Sequence, residues 1–121
     1  MKFKDGSVYY GNWKANNMSG FGSWIMDDNQ YNGDWLNGIM HGEGELTFGD
    51  GLHYFGQFSG GYMHGRGKLT TQDGSYYDGQ WARGLKNGIG VQYFPNRETK
   101  RKESWNEGKF VKVLKYLKHT V

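Results

Sequence analysis

The sequence predicts an all-β fold, an elongated and curved single-layer antiparallel sheet of tandem β-hairpins. A unit of about 23 residues recurs through the chain, and such self-similarity is the signature of a repeat architecture. Within each unit, aromatic and polar residues alternate with a period of two, which is typical of a β-strand rather than a helix. The 121 residues include 21 glycines, and 17% are aromatic. Buried area must therefore come from large rings rather than from a deep aliphatic core.

A tyrosine marks the same position of four units, with glycine two residues later and a large ring two residues after that glycine. The tyrosines are Tyr9, Tyr31, Tyr54 and Tyr77; the glycines are Gly11, Gly33, Gly56 and Gly79; and the rings are Trp13, Trp35, Phe58 and Trp81. Two more glycines, separated by one residue, follow in every unit, as at Gly42 and Gly44. Alternate residues of a strand point to the same side, so each unit has one aromatic face and one mostly polar face.

The dipeptide Asp-Gly stands between predicted strands at Asp50-Gly51 and Asp73-Gly74. It is the strongest short signal for a hairpin, because a type I′ turn needs positive φ at both central residues. The sequence therefore predicts about eight to ten short strands with turns at these two dipeptides, and essentially no helix before residue 97.

Residues 31–51, Tyr-Asn-Gly-Asp-Trp-Leu-Asn-Gly-Ile-Met-His-Gly-Glu-Gly-Glu-Leu-Thr-Phe-Gly-Asp-Gly, closely resemble the MORN repeat. The resemblance covers residues 3–96, in units that start near the four tyrosines, with a partial unit before Tyr9. Residues 97–121 are interpreted as a degenerate fifth unit, with Trp105 and Gly108 in register, and a basic amphipathic C-terminal cap.

The resemblance implies a non-enzymatic protein that binds other proteins or acts as a scaffold. MORN-repeat proteins occur at membrane–cytoskeleton junctions and in ciliary structures such as radial spokes, and phospholipid binding is proposed for some of them. The expected location is therefore the cytoplasm, in association with a cilium, its axoneme or the cytoskeleton. The catalytic domains that accompany MORN arrays elsewhere have no counterpart in the sequence, so we expect neither an enzyme nor a cofactor.

The aromatic face is the first candidate binding site. A single-layer sheet has nothing of its own to cover that face, and a contiguous apolar patch usually marks an interaction surface. We expect a helix or extended peptide of another protein to lie along it. The alternative is that the rings serve only to hold the repeats together. The predicted residues are Tyr9, Trp13, Tyr31, Trp35, Tyr54, Phe58, Tyr77 and Trp81.

The C-terminal segment is the second candidate. Phe110, Val113, Leu114 and Leu117 have helical spacing, with lysines mainly on the opposite side. One alternative is a short helix that caps the last repeat; the others are a helix that lies on an anionic membrane or docks on a partner. The candidate lipid- or partner-binding residues are Arg97, Lys100, Arg101, Lys102, Lys109, Lys112, Lys115 and Lys118.

Other chemistry is disfavoured by the residues. His41 and His64 share a repeat position, but equivalent positions lie roughly 9.5 Å apart, too far for two ligands of one zinc ion. Glu43 and Glu45 fall on the solvent face of a strand, with no apolar pocket to make either an acid catalyst. Residues 1–96 hold seven Lys/Arg and nine Asp/Glu, so no specific nucleic-acid groove is expected. Self-association is a further partner class.

Overall fold

The computed structural model describes residues 1–97 and 99–117. It confirms the predicted fold class: ten strands form one open antiparallel sheet, and each strand pairs with its neighbours in the sequence. The strands are β1 (Val8–Lys14), β2 (Asn17–Met26), β3 (Asn29–Leu36), β4 (Ile39–Thr47), β5 (His53–Ser59), β6 (Tyr62–Thr70), β7 (Tyr76–Ala82), β8 (Leu85–Phe94), β9 (Thr99–Asn106) and β10 (Lys109–Leu117). One 3-10 turn, Pro95–Arg97, connects β8 to β9.

Two-residue turns close the five hairpins at one end of the sheet. Both central residues have positive φ, for example 50° at Asn37 and 81° at Gly38, which makes these the type I′ turns of the molecule. The other four are Ala15-Asn16, Gly60-Gly61, Arg83-Gly84 and Glu107-Gly108. In four of the five hairpins the second residue is glycine, and its N–H donates to a carbonyl of the preceding hairpin, as from Gly38 to Met18 at 2.9 Å. Neighbouring units are thereby locked in register.

The type I′ turns predicted at Asp50-Gly51 and Asp73-Gly74 are wrong. Both dipeptides do lie in turns, but in longer loops that join one hairpin to the next, and of these four residues only the two glycines have positive φ. The reason is the aspartate side chain, which accepts the N–H of the residue two positions on, at 3.1 Å from Leu52 and 2.9 Å from Ser75. That local bond favours an Asx-type turn.

The predicted C-terminal helix is also wrong, because Lys109–Leu117 forms the edge strand β10. Two β-bulges interrupt its pairing with β9, between Phe110 and Lys112 and between Val113 and Lys115. Each bulge inserts one extra residue, so side chains three positions apart return to the same face of the sheet. A spacing that resembled a helix is therefore the spacing of a bulged strand. Lys118 lies outside the described residues.

Candidate functional site

A line of paired glycines crosses the sheet from β1 to β8. The glycines have no side chain, and a tyrosine ring lies across each successive pair. A Cβ placed on Gly44 would fall inside contact distance of the Tyr31 ring, and one placed on Gly67 would overlap the Tyr54 ring. The line consists of Gly11, Gly22, Gly33, Gly44, Gly56, Gly67, Gly79 and Gly90. Glycine is therefore required here for space.

The tyrosines and the larger rings interlock as a ladder along this line. Each Tyr ring meets two neighbouring rings edge to face, as Tyr31 does with Trp35 and Phe58, both at 5.1 Å between centroids. Each Tyr hydroxyl also donates to the backbone carbonyl three residues on, for example from Tyr31 to Asp34 at 2.7 Å. Burial raises the pKa of Tyr54 and of Tyr77 to about 12. The hydroxyls therefore remain protonated donors above pH 10, where a solvated tyrosine would ionise.

Seven of the eight predicted aromatic-face residues are buried in the isolated chain, with 7% exposure or less. Only Trp13, at the β1 end of the ladder, is open to solvent, with 43% exposure. The expectation that nothing in the sheet covers this face is wrong, since the rings cover one another. They form the core of the molecule, as the alternative interpretation proposed. That a partner binds over them stays a prediction.

The partly accessible residues of the aromatic face include a strip of methionines that sequence reasoning missed. Met18, Met40 and Met63 pair with the large rings of three successive units and are only partly buried. A shallow apolar pocket of about 300 Å³ opens between Met18, Met40, Trp24 and Ile39. The signal was present in the sequence, because methionine recurs at one repeat position. It was overlooked because the larger rings dominated the pattern.

The ladder ends in charged residues at the fifth hairpin. Arg101 takes the tyrosine position and Glu103 takes the glycine position, opposite Gly90. Glu103 is 1% exposed, and its carboxylate accepts from the Arg101 guanidinium and from Trp105 Nε1 at 2.9 Å. The Lys86 ammonium lies 4.3 Å from the Trp105 ring centre. Desolvation lowers the pKa of Lys86, and the charge of Glu103 partly opposes that shift.

The opposite face of the sheet carries groups of both charges. Carboxylates cluster on β3 and β4, at Asp34, Glu43 and Glu45, whereas β6 carries Arg66 and Lys68, with one further carboxylate, Asp78, beside them on β7. The structure also brings four predicted tail cations to this same face of β9 and β10: Lys100, Lys102, Lys112 and Lys115.

The other three predicted tail residues within the described part of the chain lie elsewhere. Arg101 belongs to the aromatic face, Arg97 lies in the 3-10 turn, and Lys109 follows the last hairpin turn.

Residues suited to catalysis or metal binding do not converge. Among residues 1–97 and 99–117, no group of three or more His, Cys, Asp or Glu side chains could hold a metal ion. His41 and His64 are exposed. Glu43 is exposed and Glu45 contacts His53 at 3.2 Å on the open face.

A family model of the MORN repeat matches four consecutive segments, residues 9–29, 31–53, 54–76 and 77–99. The matches begin at the four tyrosines of the ladder and together cover most of the chain. No curated protein sequence gives a significant match.

Proposed function

The chain belongs to the MORN-repeat family, and from the surfaces of its sheet we propose a non-enzymatic structural protein that binds a segment of another protein. MORN repeats are interaction modules for proteins and membranes. The proposed partner is an amphipathic helix or extended peptide that lies along the aromatic face. The proposed setting is a ciliary assembly, such as a radial spoke, or a cytoskeletal one.

The observation that carries this proposal is the methionine strip over a rigid floor of rings. Methionine is flexible and polarisable, so a row of partly exposed methionines adapts to varied apolar side chains. The ring ladder beneath is already ordered, so the face loses little conformational freedom when a partner binds. The pocket beside Met40 is large enough to hold one large apolar side chain, and it suits an anchor residue of an amphipathic segment.

Site-specific photo-crosslinking tests this proposal. A benzophenone amino acid replaces Met40 on the aromatic face or, as the matched control, Thr47 on the opposite face. Cell extract is irradiated, and the attached peptide is sequenced by mass spectrometry. We expect the crosslinker at position 40 to capture a segment with apolar residues at helical or alternating spacing, and Met18→Glu, which alters the same pocket, to abolish that capture in a chain that still melts cooperatively. Equal capture from both positions would contradict the proposal.

A second candidate function is peripheral binding to anionic membranes, and the common face of six cations favours it. Those residues are Arg66, Lys68, Lys100, Lys102, Lys112 and Lys115. Each such cation near an anionic surface contributes about 1 kcal/mol, so several acting together could hold the chain on a membrane. Within the described part of the chain, no helix is long and apolar enough to cross a bilayer.

Vesicle sedimentation tests this candidate. The double variant Lys112→Glu/Lys115→Glu is compared with Lys2→Glu/Lys4→Glu, which has the same net charge but is altered at the other end of the chain. With phosphatidylserine vesicles at physiological salt, we expect the first variant to lose binding and the second to retain it. Equal binding by both variants, or binding to neutral vesicles, would show that the basic face is not what binds the membrane.

A further inference from the structure

The face opposite the rings carries a row of residues whose charges become complementary to themselves when the order is reversed. The residues between the paired glycines of the four units run apolar, acidic, basic, apolar: Phe21, Glu43, Arg66 and Ile89. The residues that follow each pair give a parallel row with the same central charges: Ser23, Glu45, Lys68 and Val91. Their strands, β2, β4, β6 and β8, are placed symmetrically about β5.

These rows make the face complementary to itself. A two-fold axis parallel to the strands and running along β5 turns the face onto a second copy and reverses the order of its strands. It sets β4 against β6, so that Glu43 meets Arg66 and Glu45 meets Lys68, each twice. It also sets β2 against β8, which places Phe21 against Ile89. A contact of this kind, with the same patch on both copies, is the commonest form of homodimer.

The residues at the axis suit such a contact. Phe55 lies between Glu45 and Lys68 in the pairing of β4, β5 and β6, is 55% exposed, and would stack on its own symmetry mate. Phe21 and Ile89 are 60% and 44% exposed. On β3 and β7, Asn32 meets Asp78 and Asp34 meets Gln80, so each carboxylate faces an amide. No like charges are opposed in these positions.

The charges concerned are weakly engaged within the chain. Arg66 reaches Asp78 only at 3.9 Å, with the Arg66 side chain 74% exposed. Lys68 lies over the Tyr76 ring, 4.1 Å from its centre, and Glu45 contacts His53 on a half-exposed surface. Exposed pairs of this kind stabilise little, so exchanging them for contacts across an interface costs little.

The overlapped area is sufficient. Nine strands spaced by about 4.8 Å and roughly 20 Å long present roughly 800 Å² of face per copy. A stable standard interface buries about the same area on each partner.

We propose that this face is an interface between two copies of the chain, related by a two-fold axis along β5. The aromatic face stays free in the dimer, so this inference does not rest on the proposed partner segment.

Sedimentation velocity of charge-reversal variants tests the dimer. At about 50 mM salt, where exposed charges are screened least, we expect the wild type to dimerise with concentration. Lys68→Glu and Glu45→Lys should each weaken self-association by about tenfold or more, because like charges then face each other twice. Phe55→Asp, which opposes two carboxylates at the axis, should abolish it. Lys109→Glu on β10, outside the overlap, should leave it unchanged.

Two further samples make the test specific to this geometry. The Glu45→Lys/Lys68→Glu double variant restores opposite charges across the axis and should dimerise again. An equimolar mixture of the two single variants should form a mixed dimer, although neither pairs well with itself. A chain that stays monomeric up to about 500 µM at low salt overturns the proposal, as does a dimer that Lys68→Glu and Phe55→Asp leave intact while both variants remain folded.

Discussion

The first four hairpins and the fifth have the same backbone but fill their aromatic face differently. In the first four, a tyrosine ring lies flat across a glycine pair, and the next large ring closes against its edge. In the fifth, Arg101 replaces the tyrosine, and Glu103 occupies the glycine position with its side chain buried. The two substituted residues are paired with each other, since the Arg101 guanidinium donates to the Glu103 carboxylate.

The comparison shows what the glycine spacing is for. The glycines of the line beneath the rings are not there for conformational freedom, since Gly33, Gly44, Gly56 and Gly67 have ordinary extended backbone without positive φ. They are there because a ring occupies the volume that a side chain would need. Where the ring is absent, that volume can hold a carboxylate with its own partners. Each tyrosine and the glycines beneath its ring therefore form one packing unit.

The largest effect is expected from ionising the tyrosines at alkaline pH. The folded pKa of Tyr54 and Tyr77 is about 12, above the unfolded value of 10.0, so their contribution is complete below pH 10 and is lost as pH rises through 12. Ionisation of both tyrosines should lower the free energy of unfolding by about 4–5 kcal/mol over that window, which is much of the stability of a small domain. Denaturant melts from pH 9 to about 12 measure it.

The control for this experiment is Tyr54→Phe, which keeps the ring and removes one ionisable hydroxyl. Its stability should fall less steeply between pH 10 and 12, by about 2 kcal/mol. If the stability of the wild type and that of Tyr54→Phe fall equally steeply with pH, the ladder does not control alkaline unfolding.

The next largest effect is expected from adding one methyl group to the glycine line. Gly67→Ala places a carbon inside the Tyr54 ring, which is fully buried between Phe58 and Trp81 and cannot move aside. We expect a loss of about 3 kcal/mol or more, or failure to fold. In the fifth hairpin, Val113 stands at the position equivalent to Gly67. The reverse change there, Val113→Gly, should cost about 1 kcal/mol or less.

A double-mutant cycle decides whether the ring is the cause. Tyr54→Leu frees the space above residue 67, so Gly67→Ala should cost markedly less in that background than in the wild type. If the two losses simply add, the glycine is required for a reason other than the tyrosine.

The fold was predictable because its signals are local and repeated. A period of two identifies strands, and the recurring tyrosines set the unit length, without knowledge of any contact. The errors came from residues whose conformation depends on a neighbour. The dipeptide Asp50-Gly51 predicts a type I′ turn, but it does not reveal that the Leu52 N–H donates to the Asp50 carboxylate and favours a different turn. The helix predicted from Phe110, Val113, Leu114 and Leu117 is wrong because the two bulges of β10 bring side chains three positions apart to one face.

The candidate site was harder to predict, for a geometric reason. Tyr31 and Phe58 are far apart in sequence, and only the register of β3, β4 and β5 brings their rings to 5.1 Å. A pattern of alternation identifies a face but does not reveal that its rings fill the gaps between one another. Because the rings bury one another, partly accessible residues such as Met40 are the ones that a partner can reach.

A smaller effect is expected where the fifth hairpin departs from the repeat. Glu103→Gly restores the repeat residue but leaves Arg101 and Trp105 Nε1 without their acceptor. We expect a loss of about 2–3 kcal/mol, at the lower end for a broken buried pair because Arg101 is partly exposed. Arg101→Tyr combined with Glu103→Gly and Val113→Gly restores the tyrosine over a pair of glycines and should return to within about 1 kcal/mol of the wild type. A triple variant as unstable as Glu103→Gly alone would show that these positions do not act as a unit.

The smallest effect is expected at Lys86, which stands where earlier units have Met18, Met40 and Met63. Its folded pKa is lowered because burial disfavours the ammonium, so the wild type carries a penalty below that pKa which fades as pH rises towards 10.5. The ring contacts to Tyr77 and Trp105 offset part of the penalty, by about 0.5–1 kcal/mol. Lys86→Met should therefore stabilise the chain by less than about 1 kcal/mol at pH 7, and the gain should shrink above the lowered pKa. Met63→Lys is the matched control: it introduces the same ammonium over Phe58, with no Glu103 beside it, and should destabilise. If the two substitutions shift the melting temperature in the same direction, the charged end of the ladder is not what distinguishes the site of Lys86 from that of Met63.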